Sequence, residues 1–219
     1  VAVTTLSASG SSFFTLHFHG PDSSYTRLVQ DGSTTWPNVA YIDVPHVSTD
    51  WYRMLFYWNI TSLAGLTVTA LVLRLPYDFS PLGEGSGELL SVRCPDNVQP
   101  AIGDANSALF AAIAGAPGAP DGATQVAALD PSATWTPGQY GPITLSATAV
   151  SRLNAAIAAA TGYYMLGVMT TGEINLVNTN DQFSSNIAQP AYLDAMSAGG
   201  AVVQRVQHVG PNCRKIGAR

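Results

Sequence analysis

The sequence predicts an all-β, antiparallel sandwich with one or two short helices, and three observations carry that reading. Apolar residues alternate through short runs with the period of two that a half-buried strand requires. The 20 Gly and 14 Pro punctuate the chain with turns, while only 11% of residues are charged, a composition suited to many short strands joined tightly. Parallel βα alternation is missing, since only two stretches carry a helical period. With 219 residues the chain can bury one sizeable core, and it reads as a single domain over 1–219 with an insertion near 95–130.

Val1–Leu6 is strand-like. The run SSFFTLHFHG, Ser11–Gly20, sets Phe14, Leu16 and Phe18 on one side and Phe13, His17 and His19 on the other. Two histidines two apart on a strand can approach one metal ion, with Asp22 and His46 as distant further ligands, but ordinary surface or core histidines are the preferred reading. Tyr25–Val47 reads as a short strand, a loop at Asp31-Gly32 and a strand through Val39, Tyr41 and Asp43 that Pro45 ends. Arg53–Leu75 contains two strands. In the first, Met54, Phe56, Trp58 and Ile60 oppose Leu55, Tyr57 and Asn59. In the second, Val68, Ala70, Val72 and Arg74 alternate with Thr69, Leu71, Leu73 and Leu75, so that the leucine face points into a core while Arg74 snorkels at an edge.

A glycine-rich turn leads to a strand at Leu89–Cys94. Asp104–Gly115 is a predicted helix with Asp104 as N-cap, Leu109 and Ile113 as its apolar side and a closing glycine. A second helix is capped by Ser146, striped by Val150, Leu153 and Ile157, and followed by Gly162. This second helix is expected to pack over a sheet edge or a barrel end. Strand pattern resumes in YYMLGVMTT, GEINLVNTNDQF, AYLDAM and AVVQRVQHV. Late strands returning beside early ones suggest an antiparallel jelly roll with Greek-key connections.

Within this pattern RMLFYWNITSLAGLTVTALVLRL resembles the segment of DNRLRE-type jelly-roll domains in which a strand and short turn precede a second apolar strand. PITLSATAVSRLNAAI, TGYYMLGVM and FSSNIAQPAYLDAM are similar to the closing pattern of the same family, in the same order. The chain departs from it at Tyr57-Trp58-Asn59, at Ala191-Tyr192 and in the 95–130 insertion. The resemblance implies a non-catalytic module of virion or extracellular surfaces, used for structure, adhesion or carbohydrate contact.

The chemistry of the residues points the same way. A net charge of −5 with one lysine offers no basic stripe for phosphates, so nucleic acid is not an expected partner. No apolar run reaches the length of a membrane span. No nucleophile elbow, zinc-protease motif or phosphate-cradling loop occurs, and the chain is read as not an enzyme. Glu84 or Glu88 with Glu173 is the best carboxylate pair for glycoside hydrolysis, yet these read better as solvated loop acids. Trp36, Trp51, Trp135 and Tyr140 lie in turn-rich contexts and are the candidate platform for a glycan, against the alternative that they plug the sandwich ends. Asn178, Asn180 and Asp181 make an oxygen-rich loop of the kind calcium uses, but with one carboxylate a side-chain-stabilised turn is preferred, and no cofactor is expected. Cys94 and Cys213 either bridge, pinning the C-terminal tail, or stay two thiols. Asn59-Ile60-Thr61 is a formal glycosylation sequon.

Scarce charge, many small residues and a positive mean hydropathy suit a surface partly covered by neighbours. The first expectation is therefore a structural component of a virion or extracellular assembly, such as a phage decoration, fibre or tail part, contacting copies of itself or other surface proteins. The alternative is a carbohydrate-binding or adhesion module. The terminal segments Val1–Leu6 and Val202–Val209 are the expected joining strands.

Overall fold

Alternating apolar strands close into two facing antiparallel sheets in the computed structural model, which describes residues 1–7, 13–20, 22–28, 41–42, 49–77, 89–95, 103–121, 124–129, 135–136, 138–171 and 191–198. The strands are β1 (Ala2–Ser7), β2 (Phe13–His19), β3 (Ser24–Leu28), β4 (Tyr41–Ile42), β5 (Thr49–Asn59), β6 (Val68–Tyr77), β7 (Leu90–Arg93), β8 (Gly115–Ala116), β9 (Ala119–Pro120), β10 (Gln125–Leu129), β11 (Gln139–Thr144), β12 (Tyr163–Thr170) and β13 (Tyr192–Ser197). Two helices, α1 (Asn106–Ala114) and α2 (Ala147–Ala158), accompany them. A four-stranded sheet runs β1-β13-β6-β11, and a seven-stranded sheet runs β10-β7-β12-β5-β2-β3 with β4 also on β5. The predicted strands over 172–183 and 201–209 lie outside the described residues.

The core lies between the sheets. Leu71, Leu73 and Leu75 of β6 are fully buried, as their alternation predicts, and meet Leu193 and Ala195 of β13. Two details of β6 differ from expectation. Val68 is buried and Thr69 exposed because the register with β13 slips between Met196 and Ser197, reversing the pleat at the start of the strand. Arg74 is not at an edge: β6 is an interior strand, and Arg74 stands on its outer face in an ion pair with Asp194.

β5 also departs from the half-buried pattern. Every side chain from Arg53 to Trp58 is buried, on both faces of the strand. Met54, Phe56 and Trp58 face the core, while α1 covers the opposite side. There Gly167, opposite Leu55 in the register, leaves room for Ile113, and a Cβ on Gly167 would overlap the Ile113 side chain. The predicted insertion is thus a cover for a sheet face, and its last part, β10, is an integral strand of the larger sheet.

Two buried arginines hold that cover. Arg53 Nη1 donates to the carbonyls of Phe110 at 2.5 Å and Gly115 at 2.8 Å, its Nη2 donates to Ala116 O at 3.2 Å, and its guanidinium lies 3.9 Å from the Phe110 ring centre. Arg93 Nη1 donates to Asp121 O at 2.6 Å. The carbonyls at the end of α1 and in the following hairpin thereby gain charged donors in a dry place. At the other end of α1 the N-cap is Ala105, not Asp104, which is exposed; its carbonyl accepts from Arg27.

α2 packs against β6 of one sheet and against β10 and β12 of the other, closing an end of the sandwich. Leu153 is fully buried, Val150 and Ile157 are half-buried, and Ser146 holds the N-cap position without a side-chain capping bond. Asn154 accepts from Val68 N and donates to Val68 O, both at 2.9 Å, so one amide side chain serves as a strand partner for the start of β6.

Candidate functional site

Sheet edges are where a sandwich can meet its neighbours, because an edge strand leaves one side of its N–H and C=O groups unpaired. Apart from the two-residue β4, four described strands end the sheets: β1 and β11 in the smaller, β10 and β3 in the larger. Three of them are blunted. β3 carries Arg27, whose guanidinium donates to Asn106 Oδ1 at 3.1 Å and Asp104 O at 3.3 Å, tying the strand to the start of α1. β10 has a register irregularity between Gln125 and Ala127, and its Val126 carbonyl accepts the Ser146 N–H at 3.0 Å. β11 contains Pro142, which has no N–H, and the Trp135 ring fills the space where a side chain on Gly141 would stand.

β1 has none of these devices. Its sequence AVTTLS contains no charge, proline or glycine, and its register with β13 runs unbroken from Ala2↔Ser197 to Ser7↔Tyr192. Val3 is 55% exposed and Val1 nearly fully so, the two exposed large apolar side chains among the described residues. β1 lies over β5, and β2 and β3 continue the larger sheet beyond it. Among the described residues no strand lies over the core-facing side of β2 past β1, where His17 Nδ1 lies 3.2 Å from Thr26 Oγ1 and the His17 and His19 rings, both half-buried, are 6.0 Å apart.

A second surface is a cleft of about 530 Å³ on the covered side of the larger sheet, lined by Phe18, Tyr25 and Trp51 with Gly20, Ser23, Pro117 and Gly118 at its turns. The Phe18 and Tyr25 rings are 4.9 Å apart, and Tyr25 meets Phe110 edge-on at 5.5 Å. Beside the turn, Asp22 accepts the Ser24 N–H at 3.0 Å, and hydrogen bonds from Ser24 lower its carboxyl pKa.

The outer face of the smaller sheet forms a third. Arg74 makes a two-pronged ion pair with Asp194, 2.9 Å at each contact, and Thr5 Oγ1 donates to the same carboxylate at 2.6 Å. Tyr192 lies beneath the guanidinium at 5.5 Å, with Tyr140 5.2 Å further on. Burial, then the neighbouring Tyr192, pushes the Tyr140 hydroxyl up to about 12, so it is a neutral donor at any ordinary pH.

The three described aromatics of the predicted platform, Trp51, Trp135 and Tyr140, are not gathered into one surface. Trp51 is 3% exposed and contributes only to the cleft. Trp135 lines a separate groove of about 400 Å³ between β10 and β11. Tyr140 neighbours Gly141 on β11, and successive residues of a strand point to opposite faces, so Trp135 and Tyr140 stand on opposite sides of the sheet. Trp36, the calcium candidates Asn178, Asn180 and Asp181, the acids Glu84, Glu88 and Glu173, His46 and Cys213 lie outside the described residues. Cys94 is fully buried with its sulfur 3.2 Å from the Tyr164 hydroxyl, which donates to Ala149 O at 3.0 Å. Burial raises that tyrosine well above its usual pKa. Among the described residues no three His, Cys, Asp or Glu side chains converge as a metal site. Asn59 is exposed, and its Oδ1 accepts from Thr61 N at 2.9 Å and Thr61 Oγ1 at 2.6 Å.

Sequence reasoning missed Tyr192, Asp194 and the contrast between the four edges. Tyr192 and Asp194 carry a period-two signal that a strand reading of AYLDAM could have placed on one face. Their meeting with Arg74 needs the β13–β6 register. No family model and no curated protein matches the chain.

Proposed function

We propose that the chain is a jelly-roll sandwich serving as a non-catalytic structural module of a virion or extracellular assembly, of the phage decoration, fibre or tail kind. The strand order supports the jelly-roll reading. β1-β13-β6-β11 faces β5-β12-β7-β10, and the chain passes from sheet to sheet at β1 to β2, β5 to β6, β6 to β7, β10 to β11, β11 to β12 and β12 to β13. That order is the one expected of two Greek keys wrapped together, with β2 and β3 added outside β5. The observation that carries the assembly reading is that, among the described residues, the β1 edge carries none of the guards that blunt β3, β10 and β11. Light scattering over a concentration series tests it: a stable multimer is expected, and a monomer at every concentration refutes it.

A second reading, a carbohydrate-binding or adhesion module, is favoured by the cleft at Phe18, Tyr25 and Trp51. Its aromatic lining suits the C–H face of a sugar ring, and the Asp22 carboxylate in the Gly20–Ser23 turn is an acceptor for sugar hydroxyls. Titration with a panel of neutral oligosaccharides, followed by Trp fluorescence, is expected to show saturable quenching that Tyr25→Ala abolishes.

A further inference from the structure

We propose that Asn59 is an acceptor site for an N-linked oligosaccharide, and that the first sugar of the attached chain lies against Tyr163. Asn59-Ile60-Thr61 is the one Asn-x-Ser/Thr sequence in the 219 residues. It ends β5 and opens a short 3-10 helix, Thr61–Leu63. Ile60 and Leu63 are buried, and Ile60 N donates to Gly162 O at 3.1 Å, so the segment is anchored while Asn59 and Thr61 stay exposed. The proposal rests on the extracellular form of the assembly reading, because sugars of this kind are transferred during export.

Hydrogen bonding selects the reacting atom. The Thr61 N–H can only donate, and it meets the Asn59 amide at 2.9 Å, so the amide atom there is the carbonyl oxygen and Nδ2 is the end turned away. Thr61 Oγ1 donates to the same oxygen at 2.6 Å. Two donors on Oδ1 favour negative charge there, which makes an Nδ2 proton easier to lose. The partners are two residues apart, so the contact is open to the chain before it folds. The sugar donor is an oligosaccharide linked through pyrophosphate to a polyprenyl lipid. The bond from Nδ2 to the sugar C1 forms, the bond from C1 to the pyrophosphate oxygen breaks, Nδ2 gives one proton to a base of the transferase, and the lipid pyrophosphate leaves.

The sheet supplies the resting place. Tyr163 is directly opposite Asn59 in the β12–β5 register, so the two side chains share a face with their Cβ atoms about 5 Å apart. Tyr57, two residues before Asn59, is on that face too, its ring 5.9 Å from that of Tyr163. Tyr163 is half-buried, and the exposed part of its ring can meet the C–H face of the first sugar.

The test translates the whole chain, behind a cleavable secretion leader, into glycosylating microsomes and follows gel mobility, peptide mass and resistance to protease. Wild type whose leader has been cleaved is expected to carry one glycan, mapped to Asn59. Asn59→Gln and Thr61→Val are expected to lose it completely, and Thr61→Ser to keep it at lower occupancy. The glycan is expected to slow proteolysis at least about twofold relative to Asn59→Gln, and Tyr163→Ala, still glycosylated, to lose that difference. Translocated wild type without a glycan overturns the proposal. So does a glycosylated chain that is digested as unfolded while Asn59→Gln resists. Protection that survives Tyr163→Ala overturns the contact with that ring. Light scattering keeps the two readings apart: a glycosylated monomer refutes assembly and leaves this site standing, and an unmodified multimer does the reverse.

Discussion

Single residues decide how closely the layers approach. Gly167 is the place where α1 comes down onto β12, with Ile113 in the space a side chain would need. Gly167→Ala is expected to cost about 1–3 kcal/mol by overpacking. Adding Ile113→Ala should cost less than the sum of the single changes, a coupling that urea denaturation of the four-member cycle measures. Tyr164 contributes to the alkaline limit, together with Tyr57 and Tyr140, whose hydroxyls burial also raises. Its folded pKa is raised above the unfolded value near 10, so the folded state keeps the proton longer. Its contribution is complete below about pH 10 and is lost as pH climbs toward the folded pKa. Tyr164→Phe should lose about 1 kcal/mol at neutral pH with the bond to Ala149, yet show a shallower fall above about pH 10 in denaturation followed by circular dichroism. Nothing in YYMLGVM announces either role, because both depend on what stands opposite: a helix from an insertion and a cysteine at the end of β7.

Elements were legible where a period is unopposed. The leucine face of β6 and the stripe of α2 follow from spacing: the leucines and Leu153 are fully buried, and Val150 and Ile157 pack half-buried against the core. β5 misled because its two faces are apolar for different reasons, one for the core and one for α1, and alternation cannot separate a half-buried strand from a doubly covered one. Arg53 is the residue that marks the difference, since a charged side chain in the middle of an apolar strand signals a covering element that supplies acceptors. Arg53→Met should leave three carbonyls of the cover without their donor and cost about 3 kcal/mol. Amide exchange should quicken first over 106–120, while β6 and β13 stay protected, as expected of a cover that opens as a unit. The edges were less legible still. A proline, a bulge or an arginine reads as a local feature until the topology reveals that it stands at a border, and β1 is conspicuous only by comparison with the others.

For the molecule as a whole, sequence-distant pairing dominates: the first described strand pairs with the last, and interior strands of both sheets join segments far apart along the chain. Refolding from urea is expected on the millisecond-to-second scale or slower, as for other sandwiches of high contact order, and stopped-flow Trp fluorescence checks it. Because the β1 edge is uncharged, self-association should change little between low salt and roughly 0.5 M salt, where exposed charges are screened beyond a few ångströms. A strong salt dependence in sedimentation would place the contact on the Arg74–Asp194 face instead.

The pairing of Ala2 with Ser197 puts the start of β1 and the end of β13 side by side at one end of one sheet. Tension applied through these two points would pull on neighbouring strands from the same end, loading their hydrogen bonds one pair at a time, as a zip is opened, rather than all together in shear. By itself the sandwich is a weak mechanical link. A strand added along β1 would engage that same zip from its other side, so that assembly would supply strength under load that the isolated fold lacks.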